Sequence, residues 1–115
     1  MIFAAGLGTR LKPMTDTLPK ALVQVCGKPL IEHVTRKLKA SGIDEAVVNV
    51  HHFADMVEQW VSSQDIMDIR VSDERAMLLE TGGAVLHARP YLEGGGHFLI
   101  HNVDILSDVD LGWFA

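Results

Sequence analysis

A chain of 115 residues with 48% hydrophobic content is long enough for one core and too short for two comfortable domains. Its longer apolar runs, such as those at 46–50 and 98–100, fall far below the ~18 residues that a membrane-spanning helix needs. Ten Lys and Arg against fifteen Asp and Glu give a formal net charge of −5, which argues against nucleic acid as a partner, because polyanion binding needs a dense basic face. Any phosphate partner is therefore small and locally bound. A single cysteine, Cys26, forms no internal disulfide, and the apolar opening has no basic leader, so a soluble cytoplasmic protein without a membrane partner is expected.

Short apolar runs alternate with helical periodicity, the pattern of βαβ units. It predicts an α/β fold, a Rossmann-like three-layer sandwich with a mainly parallel sheet. The first predicted strand is 1–5. After a long loop, Pro29 opens a helix with Leu30, Ile31, Val34 and Leu38 on one face, and Gly42 closes it as a C-terminal cap. Residues 46–50 form the second strand, and 55–61 a helix whose Met56, Val57, Trp60 and Val61 are expected in the core; 66–71 form the third strand. Gly82-Gly83 precedes a short helical stretch to Arg89, limited by Pro90. Residues 97–101 read as a further buried strand ending at Asn102-Val103-Asp104, after a surface turn at Gly94-Gly95-Gly96. Trp113 and Phe114 have nothing after them to bury them, so 1–115 is expected to be the N-terminal portion of a longer domain.

Between Ala4 and Lys20 the chain carries its densest chemistry. Glycines at positions 6 and 8 let backbone N–H groups approach phosphate oxygens without a Cβ in the way, and Arg10 can grip two oxygens through its planar fork. Lys20, on a loop stiffened by Pro19, adds a point charge. Two common phosphate motifs fail here. A Walker A loop needs Gly-Lys followed by Ser or Thr, yet Gly27-Lys28 is followed by Pro29; a dinucleotide fingerprint needs a third glycine where Leu11 stands and an acidic residue where the second strand instead ends in His51-His52.

What the stretch resembles is the signature of the sugar-phosphate nucleotidyltransferases, G-x-G-T-R-L, then P-x-T, then P-K. Gly6, Gly8, Thr9, Arg10, Leu11, Pro13, Thr15, Pro19 and Lys20 all fit it. The likeness continues through Gly27-Lys28-Pro29-Leu30, Glu80-Thr81-Gly82-Gly83 and Asn102-Val103-Asp104, and is strongest to bacterial members joining GTP to mannose 1-phosphate or UTP to N-acetylmuramate 1-phosphate. The resemblance implies that Ala5, Gly6, Gly8, Thr9 and Arg10 hold the NTP phosphates and that Lys20 holds the reacting phosphates. It further implies that Glu80, Thr81, Gly82 and Gly83 lie against base and ribose, and that Asp104 binds Mg²⁺. Arg10, Lys20 and Asp104 are then the catalytic set, with NTP and a sugar 1-phosphate as partners. A sugar 1-phosphate is already an oxyanion, so in-line attack on the α-phosphorus needs no general base. Where the family commonly has Gly-Asp, this chain has Val103-Asp104.

Two rivals share these residues: a related enzyme with another acceptor, such as a phosphocholine cytidylyltransferase, and a non-catalytic nucleotide-sensing module. The sequence leaves an oligomer open. His51, His52, His97 and His101 suggest a zinc cluster only superficially, because adjacent histidines on a strand point to opposite faces. Cys26 reads as a small buried residue, Asp108 and Asp110 as solvated, and Lys28 as either solvated or touching substrate phosphate.

Overall fold

The computed structural model describes residues 1–94 and 96–111, so Gly95, Trp113 and Phe114 lie outside the described residues. In chain order the elements are β1 (Ile2–Phe3), three single 3-10 turns (Thr9–Leu11, Met14–Asp16, Lys20–Leu22), β2 (Gln24–Val25), β3 (Lys28–Pro29), α1 (Leu30–Ala40), β4 (Glu45–Val50), α2 (Ala54–Ser63), β5 (Asp68–Asp73), α3 (Thr81–His87), α4 (Arg89–Leu92) and β6 (His101–Asn102).

The main sheet has the order β5-β4-β1-β6 and every pair in it is parallel. Ile2 of β1 lies opposite Val48 on one side and His101 on the other, while β4 and β5 run in register from Glu45↔Asp68 to Val50↔Asp73. β4 is interior to the sheet, which explains its mostly apolar run: residues 46–50 are all buried, Asn49 included. Its side chains alternate between two cores. Ala46, Val48 and Val50 join Ile2 against Leu30, Ile31, Val34 and Leu38 of α1 and Ala54 and Val57 of α2. On the opposite face Val47 joins Met1 and Phe3 against Ala84 of α3 and the following Ala88. Helices thus cover both faces of a mainly parallel sheet, as expected.

α1 follows its predicted stripe, with Leu30, Ile31, Val34, Thr35 and Leu38 buried, and Gly42 at φ +90 ends it. The antiparallel pair β2-β3 closes through Cys26 (φ 53) and Gly27 (φ 79), so a two-residue turn with both residues left-handed leads into α1. Cys26 is exposed at the tip of that turn and not buried as expected, because the hairpin around it, residues 24–28, is exposed throughout.

Other boundaries differ from the periodicity for identifiable reasons. Strand β1 stops at Phe3 and not at residue 5, because the N–H groups of Ala4 and Ala5 turn to the Asn49 side chain and leave the ladder. Strand β5 starts at Asp68, two residues late: Gln64 Oε1 accepts the N–H groups of Ile66 and Met67 and holds them in a turn. Met56 is 37% exposed, since the buried stripe of α2 runs through Ala54 and Val57, with Trp60 and Val61 partly buried against it. Gly82 and Gly83 lie inside the first turn of α3 and do not precede it, and Pro90 sits in the first turn of α4, where its missing N–H costs nothing. The buried strand expected at 97–101 contracts to His101–Asn102. Upstream only Leu99 packs partly against the core, while Phe98 and Ile100 are both 46% exposed at the outer edge of the sheet.

Candidate functional site

The carboxyl ends of the parallel strands bring together the loop after β1, His51-His52 after β4, Glu74 after β5 and Val103-Asp104 after β6. Open α/β sheets place their ligands at this end.

The loop after β1 is shaped from inside. Gly8 has φ +67, and a Cβ there would stand 2.7 Å from Thr15 Cγ2, so only glycine fits. Thr15 is 1% exposed, and its hydroxyl donates to the Gly8 carbonyl at 2.6 Å. His52 Nε2 donates to the Thr15 carbonyl at 3.1 Å, tying the loop to the end of β4. His51 turns the other way and donates from Nδ1 to the Glu74 carbonyl at 2.7 Å. The two histidines are therefore backbone braces on opposite sides.

Pro19 is fully buried and sets Lys20 at the start of a 3-10 turn. The Lys20 side chain, 19% exposed, reaches back over the loop. A Cβ on Gly6 would meet Lys20 Nζ at 3.2 Å, and the same nitrogen lies 3.5 Å from Asp104 Oδ2. Val103, the bulky departure from Gly-Asp, is fully buried in the core and its N–H donates to the Phe3 carbonyl, which leaves Asp104 exposed at the strand end beside β1. Thr9 and Arg10 are exposed on the loop's first 3-10 turn, and Arg10 is in no ion pair among the described residues. Lys28 is exposed on β3, away from Lys20 in the fold's second sheet, and Asp108 and Asp110 are exposed.

Glu80, Thr81 and Gly82 are exposed at the start of α3; a Cβ on Gly82 would meet open space, and one on Gly83 would touch Leu79 Cβ at 3.4 Å. What joins this segment to the loop was not legible as a site in the sequence. Asn49, 4% exposed, accepts the N–H groups of Ala4 (2.7 Å) and Ala5 (3.2 Å) on Oδ1, and its Nδ2 donates to Glu74 Oε2 at 2.9 Å. Glu74, 2% exposed, accepts the Leu79 N–H on its other oxygen at 3.1 Å. One polar residue inside the buried run of β4 was the available signal.

Asp104 is a single carboxylate, and the described residues contain no group of three His, Cys, Asp or Glu able to hold a metal ion. A cleft of about 770 Å³ lies at the other end of the sheet, lined by Met1, Glu45 and Asp68 among others, and includes none of the motif residues. No helix among the described residues is long and apolar enough to cross a membrane.

Comparison with known proteins gives the family and the fold likeness of the chain. Residues 1–114 match the family described as Nucleotidyl transferase. The chain is 46% identical over 108 residues to N-acetylmuramate alpha-1-phosphate uridylyltransferase of Caulobacter vibrioides, covering 90% of this chain and 44% of that protein. Against the protein of the same name from Neisseria meningitidis serogroup B it is 41% identical, covering 96% and 48% respectively. The crystal structure of HddC from Yersinia pseudotuberculosis complexed with GMP-PN superposes with a TM-score of 0.84 at 30% identity, covering 98% of this chain and 50% of that one. The chain spans about half the length of the curated relatives it matches.

Proposed function

Because the chain belongs to the nucleotidyl transferase family, we propose that it is the nucleotide-binding portion of an enzyme that transfers NMP from an NTP to a sugar 1-phosphate, releasing pyrophosphate. The observation that carries this reading is the meeting of Lys20 and Asp104 over the Gly6–Gly8 loop. The likeness to the two uridylyltransferases favours UTP and N-acetylmuramate α-1-phosphate as the pair, and so a cytoplasmic enzyme feeding cell-envelope polysaccharide.

In this reading the backbone N–H groups from Gly6 to Thr9 receive the triphosphate, that of Ala5 being held by Asn49, and Arg10 grips its outer oxygens. Lys20 lies where charge builds as the α-phosphorus is attacked, and Glu80 to Gly83 pack against base and ribose with no Cβ at two positions. The acceptor phosphate is its own nucleophile, so no residue of this chain has to remove a proton. An exposed carboxylate facing a phosphate site suits Mg²⁺, which is commonly held by one or two carboxylates plus substrate oxygens, and Asp104 is the residue that would hold it. When bound, the ion would neutralise phosphate charge. The acceptor pocket belongs to the part of the relatives' length that this chain does not span.

Pyrophosphate release with five NTPs and a panel of sugar 1-phosphates, with Mg²⁺, tests the reading in a protein of the relatives' full length, and thermal shift with the same NTPs tests it in the 115-residue chain. The expected result is turnover in the longer protein, best with UTP, and weak nucleotide binding with little turnover by this chain. Absence of nucleotide stabilisation by every NTP overturns the reading, and robust turnover by the 115 residues overturns its partial-site clause.

A further inference from the structure

Two buried side chains outside the motif connect the two arms of the site. Ala4 and Ala5 lead directly into the glycine loop, and Leu79 leads directly into Glu80-Thr81-Gly82-Gly83. Between them run Asn49 and Glu74: two backbone donors onto Asn49 Oδ1, Asn49 Nδ2 onto Glu74 Oε2, and the Leu79 N–H onto Glu74 Oε1. The orientation of the Asn49 amide follows from chemistry, since two N–H donors on one side require the oxygen there and direct the NH₂ at the carboxylate. Both residues are almost fully buried, so an unmatched donor or acceptor in the relay has no water to turn to.

We propose that Asn49 and Glu74 form a positioning pair that sets the separation between the phosphate loop and the base and ribose segment. This rests on the nucleotide reading above. Neither residue touches nucleotide; each acts through the backbone it holds. The pair therefore governs ligands long enough to engage both arms, and matters little to one that fills the phosphate loop alone.

The relay's polarity supplies the test. Asn49→Asp sets two carboxylates face to face, and Glu74→Gln sets an NH₂ against an NH₂ or turns one toward the Leu79 N–H. The double variant restores a complete relay with the middle bond reversed: one oxygen of the new carboxylate accepts Ala4 and Ala5, the other accepts the new amide, and the amide oxygen accepts Leu79. Calorimetric titration of the 115-residue chain with Mg²⁺-UTP, Mg²⁺-GTP and Mg²⁺-tripolyphosphate reads the effect. The expected result is that each single substitution weakens the better-bound NTP roughly tenfold or more while tripolyphosphate changes by less than about twofold, and that the double variant returns to within about threefold of the unmodified chain. Equal weakening of NTP and tripolyphosphate, unchanged NTP affinity, or no recovery in the double variant overturns the pair's role. If the unmodified chain binds no NTP, the nucleotide reading itself falls. Should a single variant fail to fold, Glu74→Asp keeps the charge but shortens the reach by one methylene, and the same ratio of affinities decides.

Discussion

Lys20, from the loop after β1, and Asp104, from the turn after β6, stand 3.5 Å apart with the lysine mostly covered and the aspartate side chain 44% exposed. A pair so open to water contributes at most about 1 kcal/mol to stability. If the pair serves the reaction, the two effects separate. Asp104→Asn in a protein of the relatives' full length is expected to lower kcat roughly 100-fold or more while the melting temperature moves by only a few degrees. Pyrophosphate release across a Mg²⁺ titration, alongside a thermal melt, measures both; activity retained in the Asn variant would remove Asp104 from the reaction.

Gly8 and Gly82 are expected to respond in opposite directions. Alanine at Gly8 meets Thr15 Cγ2 at 2.7 Å in a left-handed conformation, which costs at least about 1–2 kcal/mol and disturbs the loop. Alanine at Gly82 enters open space within a helix, where it gains roughly 0.5–1 kcal/mol over glycine. Denaturant melts should show one variant destabilised and the other neutral or stabilised. Both should bind NTP less well, the second because the methyl stands where the ribose would approach. A Gly82→Ala chain with undiminished NTP affinity would take that segment out of the nucleotide site.

Cys26 offers a stabilising change remote from the site. Its turn has φ 53 followed by φ 79 at Gly27, the geometry for which Asn-Gly is preferred. Cys26→Asn is therefore expected to raise stability by a few tenths to about 1 kcal/mol without altering nucleotide affinity. Urea unfolding of the two chains decides it. The exposed thiol should also react with a disulfide reagent in the folded protein, at a rate indifferent to NTP.

Arg75 gathers three carboxylates, Glu58 at 2.6 Å, Asp55 at 2.7 Å and Asp73 at 3.1 Å, linking α2 to the end of β5. The hydrogen bond with Glu58 holds its guanidinium above the ordinary arginine value against some desolvation, with the charges of Asp73, Glu58 and Asp55 adding to the rise. A raised basic group adds stability that is lost only as pH climbs past that value, so its contribution is flat through the neutral range. Arg75→Gln leaves the three acids facing one another. Its melting temperature should fall at low salt and recover part of the loss in high salt, as exposed charges are screened. A salt-independent deficit would point to lost packing of the arginine stem.

The helix α1, the strand β4 and the long loop were legible because each is specified locally: a stripe at Leu30, Ile31, Val34 and Leu38, a run of buried residues, a dense motif. The boundaries that moved are those decided by a side chain answering distant or neighbouring backbone. Asn49 ends β1 and Gln64 delays β5, and no periodicity in 1–5 or 66–71 records either partner. Met56 and Cys26 were misjudged for a related reason. Apolar character and small size indicate what a residue tolerates, while helix orientation and turn direction decide what it meets. Among the motif residues, Lys20 and Asp104 are brought into contact, and Thr15 has a definite task under Gly8. Asn49 and Glu74 carry no recognisable pattern, because their chemistry consists of partners that only the assembled sheet supplies.

Strand β4 divides its side chains strictly, with Ala46, Val48 and Val50 on one face and Val47 and Asn49 on the other. A slip of one residue against β1 would send the Asn49 amide into hydrocarbon and offer Ala4 and Ala5 a valine that accepts nothing. The binding apparatus and the alignment of the sheet are thus a single decision. A misthreaded chain would lose the fixed spacing between the glycine loop and the segment at 80–83, so tight capture of a whole nucleotide reports that the sheet is correctly threaded.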